Sequence, residues 1–130
     1  MERVTGIGGV FFKAKHPDQL RAWYAQHLGL KLEDFGACVF HWAEDNAPGK
    51  MTVWSIFPAD TDYFAPSNAG FMINFRVKNL TAMLQQLSAA GIETTGQLDD
   101  EAFGRFAWIL DPEGNKVELW QPPDSAPEQG

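Results

Sequence analysis

Two stretches of this chain carry the same parts in the same order, and that repetition limits the fold more than any other feature. Residues 7–14 form an apolar strand that opens on Gly8 and Gly9. Pro17 and Asp18 then open a helix in which Leu20, Trp23, Tyr24, His27 and Leu28 recur at helical spacing, with Gly29 at its stop. Residues 70–77 form a second strand, with Phe71, Ile73, Phe75 and Val77 on one face. Asn79 caps the helix that follows, which carries Leu80, Met83, Leu84 and Leu87 and closes at Gly91. Short strands complete each half, at 30–35, 37–42 and 51–57 in the first and at 92–96 and 103–120 in the second. Each half therefore reads strand, helix, strand, strand, strand, a duplicated module.

The last part of the second half is a hairpin. Phe106, Trp108 and Leu110 alternate on one strand, and Val117 and Leu119 alternate with Glu118 and Trp120 on the other. Between them lies Asp111-Pro112-Glu113-Gly114-Asn115, where proline presets a turn and Gly and Asn tolerate positive φ. One helix per module places both helices on one sheet face, an α+β arrangement with a concave opposite face. The expected organisation is one domain over 1–122, with module one at 5–58, a linker at 59–69 and module two at 70–122. Residues 123–130 read as a loosely packed tail.

Composition narrows the partners. The net charge is -7, which leaves no Lys/Arg footprint for nucleic acid or for an anionic membrane surface. No apolar run approaches the roughly 20 residues of a membrane helix, and the start lacks a secretory layout. A lone cysteine, Cys38, permits no intrachain disulfide and fits a reducing, cytoplasmic setting. It sits in an apolar strand, where a small buried filler is the ordinary role and a nucleophile the rarer one.

Three segments together resemble a known family. Gly9-Val10-Phe11-Phe12-Lys13 leading into Trp23-Tyr24-Ala25-Gln26-His27-Leu28-Gly29-Leu30 is similar to its first module. Phe75-Arg76-Val77-Lys78-Asn79-Leu80 is similar to the opening of its second, and residues 111–120 to its closing hairpin. The family is the glyoxalase/bleomycin-resistance/extradiol-dioxygenase group, the vicinal oxygen chelate superfamily. The resemblance implies paired βαβββ modules forming a curved mixed sheet, often in a homodimer, with a divalent metal held by four inward strand positions. Carried onto this chain, those positions fall on Gly9, near Trp54 with Ser55 beside it, on Met72 and on Glu118. One carboxylate among four is a poor cation site, so no metal ligand and no cofactor are expected; a divalent metal would need an atypical site, with His41 and Glu118 as its one candidate pair.

Glu118 is the candidate catalytic residue, and two readings of it stand. It is a structural carboxylate paired with Arg76 or Arg105, or it is a general base or ligand anchor. The candidate ligand-binding residues are Phe11, His41, Trp54, Met72, Asn74, Arg76, Arg105, Trp108 and Trp120. As a set they suit a flat, partly polar organic molecule, with aromatic faces for stacking and an arginine for a carboxylate or phenolate. His16 and His27 lie at helix ends, away from this set. Tyr63 and Phe64 form either a lid or a dimer brace, and Gly104 permits close backbone approach at the pocket rim.

Three functions follow from these residues. The first is metal-free binding of a small aromatic or amphipathic molecule. The second is a lyase, isomerase or dioxygenase of the family's kind, working through an atypical site around Glu118. The third is a scaffold dimer with no ligand.

Overall fold

The computed structural model describes residues 1–42 and 50–123. The elements are β1 (Val4–Ala14), α1 (Pro17–Leu28), β2 (Cys38–His41), β3 (Met51–Pro58), β4 (Phe71–Val77), α2 (Leu80–Ala89), β5 (Gly96–Asp100), β6 (Gly104–Leu110) and β7 (Lys116–Gln121). The loop read at 43–49 and the tail from 124 onward lie outside the described residues.

All seven strands join one mixed sheet in the order β2-β3-β1-β4-β7-β6-β5. The duplication is visible in the pairing. Each module's first strand lies at the centre, and β1 and β4 pair antiparallel there. Each module's last strand runs parallel to its first, β3 beside β1 and β7 beside β4. A parallel neighbour requires a crossover, which α1 and α2 begin in their modules. Among the described residues no helix is long and apolar enough to cross a membrane.

The main core lies between α2 and the sheet. Val77, Leu80, Met83, Ala107 and Leu119 are buried there, flanked by Phe75, Leu84, Leu87, Ile109 and Val117. Each fully buried side chain of this size contributes about 1.5–3 kcal/mol. Asn79 caps α2 by accepting from the Ala82 N–H at 3.0 Å. The other helix is held differently, for none of its residues is fully buried. Its Tyr24 ring lies 4.9 Å from that of Trp54, and its Arg21 donates to the Ile56 carbonyl at 2.9 Å. Gly29 ends α1 in the left-handed region at φ 72°.

Two expected strands differ. Residues 30–35 form no strand and make a single bridge, Leu32 to Cys38. A four-residue turn at 33–36, in which the Gly36 N–H donates to the Glu33 carbonyl, interrupts the run. In module two the strand begins at Gly96, where residues 92–96 were expected to form it. Gly91 is left-handed and the Ile92 N–H still binds the Leu87 carbonyl, so residues 92–95 carry the chain from helix to sheet edge. The hairpin forms as read. Asp111 accepts from the N–H groups of Glu113 and Asn115, and Gly114 sits at φ 87°. These bonds hold the exposed Asp111 carboxyl below its ordinary range, the Asn115 side chain contributing most.

The sheet face opposite the helices is partly roofed by residues 59–69. Phe64 of that segment is fully buried. Tyr63 stacks on Phe57 at 5.3 Å and 8°, and Phe57 meets Phe11 edge-on at 5.7 Å.

Candidate functional site

Strand register brings three polar side chains into one row on the helix-free face. Asn74 of β4 lies opposite Glu118 of β7, and Glu118 lies opposite Trp108 of β6. Glu118 is 2% exposed and Asn74 is 3% exposed, so their polar atoms depend on partners inside the protein. Both Glu118 oxygens find them. Its Oε1 accepts from Asn74 Nδ2 at 2.6 Å, and its Oε2 accepts from Trp108 Nε1 at 2.8 Å and from the Tyr63 hydroxyl at 2.6 Å. Three donors and no acceptor meet this carboxylate, which is the environment that suits the anion.

The fourth member is Lys116, two residues before Glu118 on the same strand face. Its Nζ donates to the Tyr63 carbonyl at 2.7 Å and lies 5.3 Å from the ring centres of both Tyr63 and Trp108. Burial lowers the Lys116 pKa, and the negative charges of Glu118 and Asp62 oppose that shift. The Tyr63 hydroxyl is pushed far above its ordinary value. Burial is the largest cause, followed by the Glu118 charge and their hydrogen bond, with Trp108 acting the other way. Tyr63 is therefore a donor held protonated against Glu118.

Beside this cluster opens a cavity of about 190 Å³. Asn74 and Glu118 form its polar floor. Phe11, Phe106 and Trp120 wall it, Gly8, Val39, Met51 and Val53 complete the apolar lining, and Phe35 and Phe103 stand at its rim. Phe35 is 72% exposed and Phe103 is 66% exposed, although both line the cavity. Trp108, Phe106 and Trp120 make a near-parallel ladder, each neighbouring pair 6.4 Å apart. Trp120 Nε1 donates to the Phe103 carbonyl at 2.7 Å and ties the rim to the wall. Gly104 follows at φ 108°, and a Cβ there would strike the Gln121 carbonyl, so only glycine allows this approach. A larger hollow of about 610 Å³ lies along the start of α1, lined by Lys13, Lys15, His16, Trp23 and Tyr24. It is a wide groove and shares no wall with the carboxylate cluster.

The structure brings together part of the expected set. Phe11, Asn74, Glu118 and Trp120 line the cavity, and Trp108 grips the carboxylate. Met72 is fully buried opposite Phe11 and does not line it. Arg76 shares the face but is directed elsewhere. It donates to Thr5 Oγ1 at 2.8 Å, and its guanidinium lies 5.9 Å from the Trp42 ring centre. Trp54 faces α1, because Phe11 pairs with Ser55 and so puts Ser55, not Trp54, on the cavity side. Arg105 also faces the helices, bound to Asp99 at 3.2 Å and to Thr81 Oγ1 at 2.8 Å. Neither arginine pairs with Glu118, so the expected ion pair is replaced by neutral donors. His41 is exposed near the end of the edge strand β2 and does not line the cavity. Cys38 is buried, as a filler would be.

Sequence reasoning missed the connection between Tyr63 and Glu118 and the pocket role of Gly8. A register shift between Ile7 and Gly9 turns Gly8 toward the cavity. A Cβ at Gly8 would collide with Asn74 Oδ1 and lie 2.9 Å from the Trp120 ring. The missing side chain is thus the space that the Asn74 amide occupies. Its Oδ1 is buried and has no hydrogen-bond partner.

The fold and site define a class, and comparison with known proteins agrees with it. The model of the glyoxalase-like domain family matches residues 9–120. Similar solved structures include a methylmalonyl-CoA epimerase from Mycobacterium tuberculosis, with 22% identity, a TM-score of 0.59, and coverage of 92% of this chain and 89% of that one. A methylmalonyl-CoA epimerase in complex with methylmalonyl-CoA and NH4+ gives 13% identity and a TM-score of 0.69, over 96% and 99% of the two chains. A catechol 2,3-dioxygenase gives 21% identity and a TM-score of 0.58, over 96% of this chain and 41% of that one. No curated protein matches. The chain belongs to the glyoxalase-like domain family, within the vicinal oxygen chelate superfamily.

That family implies a divalent metal at the pocket floor, and the donor set here does not fit one. On the four strands that would carry its ligands, β1, β3, β4 and β7, the cavity is lined near its floor by Gly8, Val53, Asn74 and Glu118. Two have no donor atom. Glu118 already accepts three hydrogen bonds, two of them at Oε2. Asn74 offers one neutral oxygen. Among the described residues no three His, Cys, Asp or Glu side chains converge. Tetrahedral or octahedral coordination of a cation needs more ligands than this.

Proposed function

We propose that this protein binds a small aromatic or amphipathic organic molecule in the cavity above Glu118, without a metal, as a cytoplasmic homodimer. The observation that supports binding over metal chemistry is the saturation of Glu118 by Tyr63, Asn74 and Trp108. A carboxylate engaged in this way shapes and polarises a pocket floor but keeps too few free lone pairs to anchor the coordination shell of a metal ion. The aromatic walls supply area and orientation, as ligand pockets commonly do. Exposed Ile7, Phe40 and Trp42 leave apolar surface for a second copy to cover. The test is a titration with aromatic and amphipathic compounds read by tryptophan fluorescence, since Trp120 lines the cavity and Trp108 touches its floor. Saturable quenching that Trp120→Phe alters supports the reading, and no response at millimolar concentrations opposes it.

One observation favours a second reading. Glu118 lines the cavity and shares a 2.6 Å hydrogen bond with a phenol, a pair able to pass a proton to or from a bound molecule. In that case the protein is an isomerase or lyase of atypical site. Hydrogen exchange at an acidic C–H of a bound compound, lost in Glu118→Gln, separates it from simple binding.

A further inference from the structure

The cavity's polar floor is biased toward hydrogen-bond acceptors. Two polar side chains, Asn74 and Glu118, line it among the described residues. Asn74 gives one Nδ2 hydrogen to Glu118 and leaves its acceptor Oδ1, buried beside Gly8, with no donor. Glu118 Oε1 accepts a single bond and retains a lone pair. No positive side chain answers them from within the pocket. Lys116 is held by the Tyr63 carbonyl between two rings, Arg76 is engaged by Thr5, and Arg105 is on the other sheet face.

Resting on the binding function above, we propose the chemical class of its ligand: a small organic cation, a protonated amine attached to an aromatic or aliphatic group. The ammonium supplies N–H donors to Asn74 Oδ1 and Glu118 Oε1, and its charge is met by the carboxylate. Its apolar part lies against Phe11, Phe106 and Trp120, whose ring faces attract a cation where they are desolvated. An anion of the same shape meets the buried negative charge of Glu118, so the site disfavours it. The net charge of -7 adds attraction for cations at longer range. This reverses the sequence expectation that an arginine receives a carboxylate or phenolate.

The experiment is a matched titration with benzylamine, benzyl alcohol and benzoate, followed by tryptophan fluorescence and by ligand-observed NMR. Benzylamine is expected to bind about tenfold or more tighter than benzyl alcohol, with benzoate weakest of the three. Glu118→Gln is expected to narrow the amine-to-alcohol ratio to about threefold or less. Should that variant fail to fold, the ratios of the unsubstituted protein decide. Equal or tighter binding of the alcohol or of benzoate overturns the cation assignment and leaves the binding function standing. If none of the three nor any compound of the wider panel binds, the binding function itself falls and takes this assignment with it.

Discussion

The Tyr63 hydroxyl donates to Glu118 Oε2 at 2.6 Å, joining a loop between the modules to the last strand 55 residues later. Tyr63 lies in the linker outside both modules, and Glu118 lies in the last strand of module two. Tyr63→Phe removes the bond and keeps the stack on Phe57. A hydrogen bond to a charged group contributes about 1.5–3 kcal/mol, so the variant should lose stability of that order. Urea denaturation of both proteins under identical conditions measures it. A loss well below 1 kcal/mol, on the order of a surface change, would mean that Glu118 gains nothing from this donor.

The same pair gives a pH dependence. The folded pKa of Tyr63 is raised above its unfolded value, by burial first and by Glu118 second. The native state therefore keeps a proton that the unfolded state releases. Stability from this group is intact below an unfolded tyrosine pKa of about 10 and falls as pH rises beyond it. Denaturation midpoints measured from about pH 8 to 11 should decline, and the decline should be shallower in Tyr63→Phe. Parallel slopes in the two proteins would contradict the assignment.

Gly8 and Gly70 make an internal comparison. A Cβ at Gly8 would collide with Asn74 Oδ1, whereas one at Gly70 meets nothing within 4 Å. Gly8→Ala should cost about 1–3 kcal/mol through overpacking and should displace the Asn74 amide from Glu118. Gly70→Ala should be neutral or slightly stabilising. Thermal melts of the two variants check the contrast, and similar behaviour of both would mean that the Asn74 cradle yields easily.

Much of the fold was legible because it is written in local chemistry. The Asp111–Asn115 turn, the Asn79 cap and the Gly29 stop each satisfy nearby backbone groups, and each formed as read. The pocket was less legible, because alternation fixes which residues share a face only while register is unbroken. The irregularity at Ile7–Gly9 moved the inward glycine by one position, and the parallel β1–β3 register put Trp54 under α1. Tyr63 lay in a segment with no period, so nothing local linked it to Glu118. Arg76 and Arg105 had partners, Thr5 and Asp99, that only the folded sheet brings near them.

The proposed metal-free pocket rests on the side-chain donors of Asn74, Trp108 and Tyr63 at Glu118. Equilibrium dialysis of the purified protein against Mn²⁺, Ni²⁺, Fe²⁺ and Zn²⁺, followed by elemental analysis, tests it most directly. Far less than one bound ion per chain is expected, with no difference between the unsubstituted protein and Glu118→Ala. One equivalent retained by the unsubstituted protein and lost in Glu118→Ala would contradict it.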